Sequence, residues 1–111
     1  MRPVSVGVEP TAATLTTVYT VPTGYYAKFI VMYIHNTGGS TKNITVVWND
    51  ASTATSYDIL TEYSFTSKQY LEFNGVAYIV MEEGDKIQIT TEAGSTFSFI
   101  ATFEVIGAQR T

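Results

Sequence analysis

His35 is the only histidine of the chain, and there is no cysteine. Nucleophilic catalysis of the Ser–His–Asp or Cys–His type places an imidazole between the nucleophile and an orienting acid. His35 instead closes an apolar run, Tyr26 to His35, just before the Gly38-Gly39 turn. That setting suits a structural or surface histidine. Zinc is normally held by His and Cys, so a site here would need three carboxylates around one imidazole. The densest acidic cluster is Glu82, Glu83 and Asp85, gathered around Gly84. Carboxylates so close on one short turn are expected to be solvated rather than to form an acid–base pair. Loop oxygens suit calcium, but this spacing matches no EF-hand loop. There is no GxxxxGK(S/T) phosphate loop and no GxGxxG opening a helix. The expectation is a protein that is not an enzyme, with no catalytic, metal or cofactor-binding residues.

Aromatic side chains are the remaining chemistry. Trp48 and the eight tyrosines carry rings able to stack on sugars or bases. Trp48 alternates with Ile44 and Val46, which assigns it to a core face. Tyr25, Tyr26 and Tyr63 fall near strand ends and are the candidates for a binding surface. The sequon Asn43-Ile44-Thr45 arises often by chance and has meaning only in a secreted chain.

Charge narrows the partners. Six Lys and Arg stand against ten Asp and Glu, a formal charge of −4. A nucleic-acid binder needs a basic face to release counterions from phosphates, and an anionic membrane likewise attracts basic chains. Both partners are therefore expected to be absent. Only 14% of the residues are charged, against roughly 25% in an ordinary soluble domain. Beside 45% hydrophobic content, that scarcity suggests a surface partly covered by a partner. The first residues contain no apolar h-region of a secretory signal. Opening on Met1, the chain is expected to be a complete gene product.

The elements that would position these residues are strands. The 111 residues suit one domain. No window carries the i, i+3, i+4, i+7 pattern of a helix. Leu15 to Val21 alternates and stops at Pro22-Thr23-Gly24. Tyr26 to His35 is apolar on both faces, with Ala27, Phe29, Val31 and Tyr33 on one and Ile30, Met32 and Ile34 on the other. Such a strand is either covered on both sides or lies in an interface. Lys42 to Asn49, Ser56 to Glu62 and the run holding Ile87 and Ile89 follow. Gln69–Phe73 and Val76–Met81 are separated by Asn74-Gly75, which predicts a type I′ hairpin. Phe97, Phe99, Ala101, Phe103 and Val105 mark the inward face of the last strand. About eight short strands at this spacing predict an antiparallel β-sandwich, jelly-roll or immunoglobulin-like.

Residues 1–14 differ from the sandwich domain, residues 15–111. Val4, Val6 and Val8 alternate, but Pro3, Gly7 and Pro10 interrupt them. Proline lacks the ladder N–H, so this segment is expected to be an edge strand or an extended arm that pairs with a neighbouring subunit. In the arm reading, Val4, Val6 and Val8 are interface residues.

Several stretches together carry a family likeness. They are Val18-Tyr19-Thr20-Val21-Pro22-Thr23-Gly24, the strand closing at Ile34-His35-Asn36, Tyr78 to Ile87 with its Glu83-Gly84-Asp85 turn, and the final strand Phe97 to Val105. Over roughly Leu15 to Val105 the chain resembles small β-sandwich structural proteins of tailed bacteriophages. The resemblance implies a virion protein made in the host bacterial cytoplasm. It further implies a capsid decoration (cement) protein, a homotrimer whose partner is the major capsid protein or another virion protein. The alternative it leaves open is a tail, spike or fibre module that recognises host glycan. It implies no catalytic residue.

Overall fold

Alternating apolar residues pull this chain into strands, because each strand must bury one face against another layer. The computed structural model describes residues 2–73 and 78–107. Within them lie β1 (Arg2–Val8), β2 (Thr16–Thr20), β3 (Tyr25–Asn36), β4 (Lys42–Asp50), β5 (Thr55–Phe65), β6 (Tyr70–Phe73), β7 (Ile79–Met81), β8 (Lys86–Thr91) and β9 (Phe97–Gly107). The described residues contain no helix. One sheet has the order β1-β9-β3-β6, with β7 also on β3; the other has the order β2-β8-β4-β5. Every pairing is antiparallel. The sequence expectation of an all-β sandwich is met.

The two short strands correct one expectation. β6 pairs with Met32–His35 and β7 with Ala27–Phe29, both antiparallel to β3. They therefore run in the same direction, end to end, and do not fold back on each other as a hairpin. Asn74-Gly75 itself lies outside the described residues. The physical reason is the length of β3: its twelve residues offer both segments an apolar strand to pair with. Counted as one interrupted strand, β6 and β7 bring the total to eight. Apart from the β4–β5 hairpin, every connection between those eight strands crosses from one sheet to the other. That alternation makes the sandwich a jelly roll.

The core fills the space between the sheets. Phe29, Phe65, Phe97, Phe99 and Phe103 are fully buried, with Ile34, Ile44, Ile87, Ile89 and Met81. Phe103 is stacked between Tyr19, at 4.5 Å, and Phe29, at 5.2 Å. Phe65 meets Phe97 edge-on at 5.6 Å. Burial of each such ring is worth on the order of 2–3 kcal/mol. β9 supplies the inward face its alternation predicts. β3 does not: a bulge between Phe29 and Val31 inserts Ile30 into the ladder. The parity flips there, so Ala27, Phe29, Met32 and Ile34 are buried, while Val31 and Tyr33 turn outward.

Three polar residues are buried among them: Asn36, Asp85 and Thr91. Asp85 corrects the expectation of a solvated acidic turn. Its carboxylate accepts hydrogen bonds from Trp48 Nε1 (3.2 Å), the Ala51 amide (3.0 Å) and the Glu82 amide (3.0 Å). Its backbone carbonyl accepts from Val21 N, and Gly84 N donates to Val21 O. Three turns are thereby tied at one end of the sandwich. Gly84 holds φ at +85°, and a side chain there would also press on Ala51. Asn36 does the same at the other end of β3. Its amide donates to the carbonyls of Ser40, Phe65 and Thr66, and its side-chain oxygen accepts from Gly38 N. Among the described residues, the buried Thr91 hydroxyl has no partner.

Two substitutions test this balance. Asp85→Asn keeps the shape but turns an NH2 group toward an N–H donor. It should cost about 2–3 kcal/mol of unfolding free energy in urea titration. Thr91→Val removes an unpaired buried hydroxyl without changing volume. It should raise stability by about 1 kcal/mol and the melting temperature by about 4 °C. A lowered melting temperature would show that the hydroxyl has a partner, such as a buried water.

Candidate interaction surface

Strand alternation gives each sheet one face toward the core and one toward solvent, and the two solvent faces differ. On the β2-β8-β4-β5 sheet, outward positions hold Thr17, Gln88, Thr90, Thr45, Val47 and Asn49, placed together by register. Gln88 Nε2 donates to Thr17 Oγ1 at 3.1 Å. This face is mostly polar: hydroxyls and amides, with Lys86 beside Asn49, Asp58 beside Val47, and Val47 aliphatic among them.

The outer face of the β1-β9-β3-β6 sheet carries exposed aromatic and aliphatic side chains among polar ones, with Ser5 and Thr102 hydrogen-bonded toward β1. Tyr26 sits beside Ile106, Tyr33 between Ile100 and Glu72, and His35 between Ser98 and Tyr70. Lys28 lies between Glu104 and Val80. Tyr33 and Ile100 are 41% and 44% exposed, and Tyr70 is 68% exposed. Tyr78 and Val80 are also exposed, and Lys28 Nζ rests 5.0 Å from the Tyr78 ring centroid. The Tyr33 hydroxyl donates to Glu72 Oε2 at 3.2 Å. That bond, with the carboxylate's charge, raises the Tyr33 pKa above the usual tyrosine value.

The sequence candidates are dispersed rather than brought together. Tyr26 stands on the apolar outer face. Tyr25, exposed at the start of β3, lines a groove of about 500 Å³ with Arg2, Val4, Tyr19, Pro22, Val105 and Gly107. Burial raises the pKa of Tyr19 on its wall, against the opposing charge of Arg2. Tyr63 is exposed on β5 in the other sheet, edge-on to Phe65 at 5.3 Å. Val4, Val6 and Val8 stand opposite Phe103, Ala101 and Phe99 in the β1–β9 ladder and pack half-buried on the core. Residues 2–8 are thus an edge strand of the chain's own sheet, the first of the two placements expected. Trp48 does turn inward, but at the margin, half-buried and stacked 5.5 Å from exposed Tyr57.

Tyr33, Tyr70, Tyr78, Val80 and Ile100 were not singled out from the sequence. The two-faced Tyr26–His35 run was their one visible sign. Among the described residues no group of three His, Asp or Glu side chains is placed to hold a metal.

No protein-family model and no curated protein matches this chain. Solved structures do. The chain is similar to a protein of the acid-stable capsid of Helicobacter pylori bacteriophage KHP30, at 10% identity and a TM-score of 0.61, covering 97% of this chain and 94% of that one. It is also similar to a chain of the T13 particle of infectious bursal disease virus (IBDV), at 10% identity and a TM-score of 0.57. That match covers 98% of this chain but only 33% of the viral one. A chain of the Gx strain of the same virus matches at 10% identity and a TM-score of 0.55, with 100% of this chain and 35% of that one covered. At such identities the likeness is one of fold.

The placement of β1 generates its own test. Three half-buried valines, each worth about 1 kcal/mol, are lost on deleting residues 1–10. The truncated chain should unfold at lower urea, with stability down by about 3 kcal/mol. Unchanged stability would return the segment to the role of a free arm.

Proposed function

We propose that this protein is a structural component of a virion that acts by binding, without catalysis. In the finer reading it is a capsid decoration protein. It binds the major capsid protein of a bacteriophage head as a homo-oligomer and holds neighbouring shell subunits together. The observation that carries this is the apolar outer sheet face on a sparsely charged jelly roll. An exposed apolar patch of this kind marks a surface that meets a partner. The phage-like motifs and the fold likeness to capsid proteins support a particle as its setting. Shell symmetry would present many copies at once, so modest individual contacts add up to firm attachment.

A second reading is a tail, spike or fibre module that recognises host glycan. The stacked Trp48–Tyr57 pair, open on its Tyr57 side, favours it, since sugar rings pack on such platforms.

Purified phage heads provide the test. The protein should appear in their mass-spectrometric inventory, and heads lacking it should bind the added full-length chain in a fixed ratio. Absence from the inventory together with no binding would remove the decoration reading. Retention on a glycan array, lost on Tyr57→Ala, would favour the second.

A further inference from the structure

We infer that the outer face of the β1-β9-β3-β6 sheet is where copies of this chain meet one another. The inference rests on the reading that the chain assembles as a homo-oligomer, and it names the surface that does so.

The case begins with β3. A strand apolar on both sides needs cover on both. Inside, the opposite sheet covers Ala27, Phe29, Met32 and Ile34. Outside, no described residue covers Tyr26 and Tyr33, which stay exposed with Ile100 and Val80 on neighbouring strands. The outer face of the opposite sheet is by contrast mostly polar, with Thr17, Thr45, Thr90, Gln88, Asn49 and Lys86 in its outward rows.

Size fits a self-contact. β3 runs twelve residues, or roughly 40 Å, and four strands side by side are roughly 19 Å wide. The face is shorter toward β1, leaving roughly 600–700 Å² per copy, close to the ~800 Å² a partner contributes to a standard interface. The abundance of tyrosine is also that of an interface centre.

Charge selects the occupant. The chain carries a net −4, so two copies repel across most of their surfaces. On this face Lys28 lies in one row with Glu104, and Glu72 lies in a row further along β3. A surface with Lys28 in one row and Glu72 in another can meet itself about a two-fold axis, with Lys28 of one copy near Glu72 of the other.

Sedimentation of the full-length chain from about 1 μM to about 1 mM reads the outcome. The wild-type chain should self-associate. Ile100→Lys should weaken association at least roughly tenfold, as should Val80→Lys on a different strand. Gln88→Lys places the same charge on the polar face and should change it less than about twofold. Both apolar positions are exposed, and far-UV circular dichroism and melting of each variant establish that it folds. A wild type monomeric at about 1 mM overturns the inference, as does equal weakening by Gln88→Lys. So does a monomeric wild type whose head binding is lost in Ile100→Lys, because the face then serves the shell. Self-association with the expected pattern but no head binding upholds the inference and removes the decoration reading.

Discussion

The ladder between β3 and β9 determines both surfaces of the sheet it builds. Its register runs from Tyr25 opposite Gly107 to Asn36 opposite Phe97. On the inner side it places Phe29 against Phe103 and Met32 beside Ala101, around which the other sheet closes. On the outer side the same pairings set Tyr33 beside Ile100 and Tyr26 beside Ile106. The core and the exposed apolar face are therefore not independent features. A change of one residue in this register would move the phenylalanines to solvent and the tyrosines inward. The bulge at Ile30 is what allows a single strand to serve both sides, because it resets which residues point in halfway along.

Two buried polar residues close the ends of that ladder. A jelly roll has many crossings between sheets, and each crossing leaves turn amides and carbonyls in need of partners. Asp85 collects three N–H groups at one end, and Asn36 collects three carbonyls and one N–H at the other. The chemistry is matched to the need: an acceptor-only carboxylate where donors converge, and an amide where both kinds meet. Asn36 and the Gly84-Asp85 turn also belong to the motifs that suggest a phage structural protein. Their physical content is turn closure, which explains how they report architecture.

Much of this was legible in the sequence. The period-two alternation of Phe97 to Val105 gave β9 with its correct inward face, and the absence of helical periodicity gave the fold class. What was not legible depended on distant residues. Asp85 reads as one of three solvated acids because its partners Trp48 and Ala51 lie 37 and 34 residues away. Asn74-Gly75 is a strong local hairpin signal, yet the flanking segments found β3 a better partner than each other. The bulge at Ile30 has no glycine or proline to announce it, so the sequence alone reads β3 with one parity throughout. The valines of β1 alternate in the same way whether they meet a neighbour's core or their own. Among the surface candidates only Tyr26 lies on the apolar face, because exposure of an aromatic follows from which strands lack cover rather than from its nearness to a turn.

The sheet edges bear on how such a molecule can assemble. An open edge invites endless strand addition, and soluble β proteins blunt their edges. All four edges here are blunted. β1 carries Pro3, which cannot donate to a ladder. β2 is five residues long, and its register shifts between Thr17 and Tyr19. β5 shifts register against β4 and holds Glu62 at a φ of +43°. On the remaining edge the described strands β6 and β7 are only four and three residues long, so neither is a long template. Association through edges is thus disfavoured on every side, while one broad face is left apolar. Contacts between faces bury side chains without extending a ladder, so they can close into a small symmetric oligomer instead of a fibre. That combination, contact through a face without growth at an edge, follows from where β3 and β9 place their outward side chains.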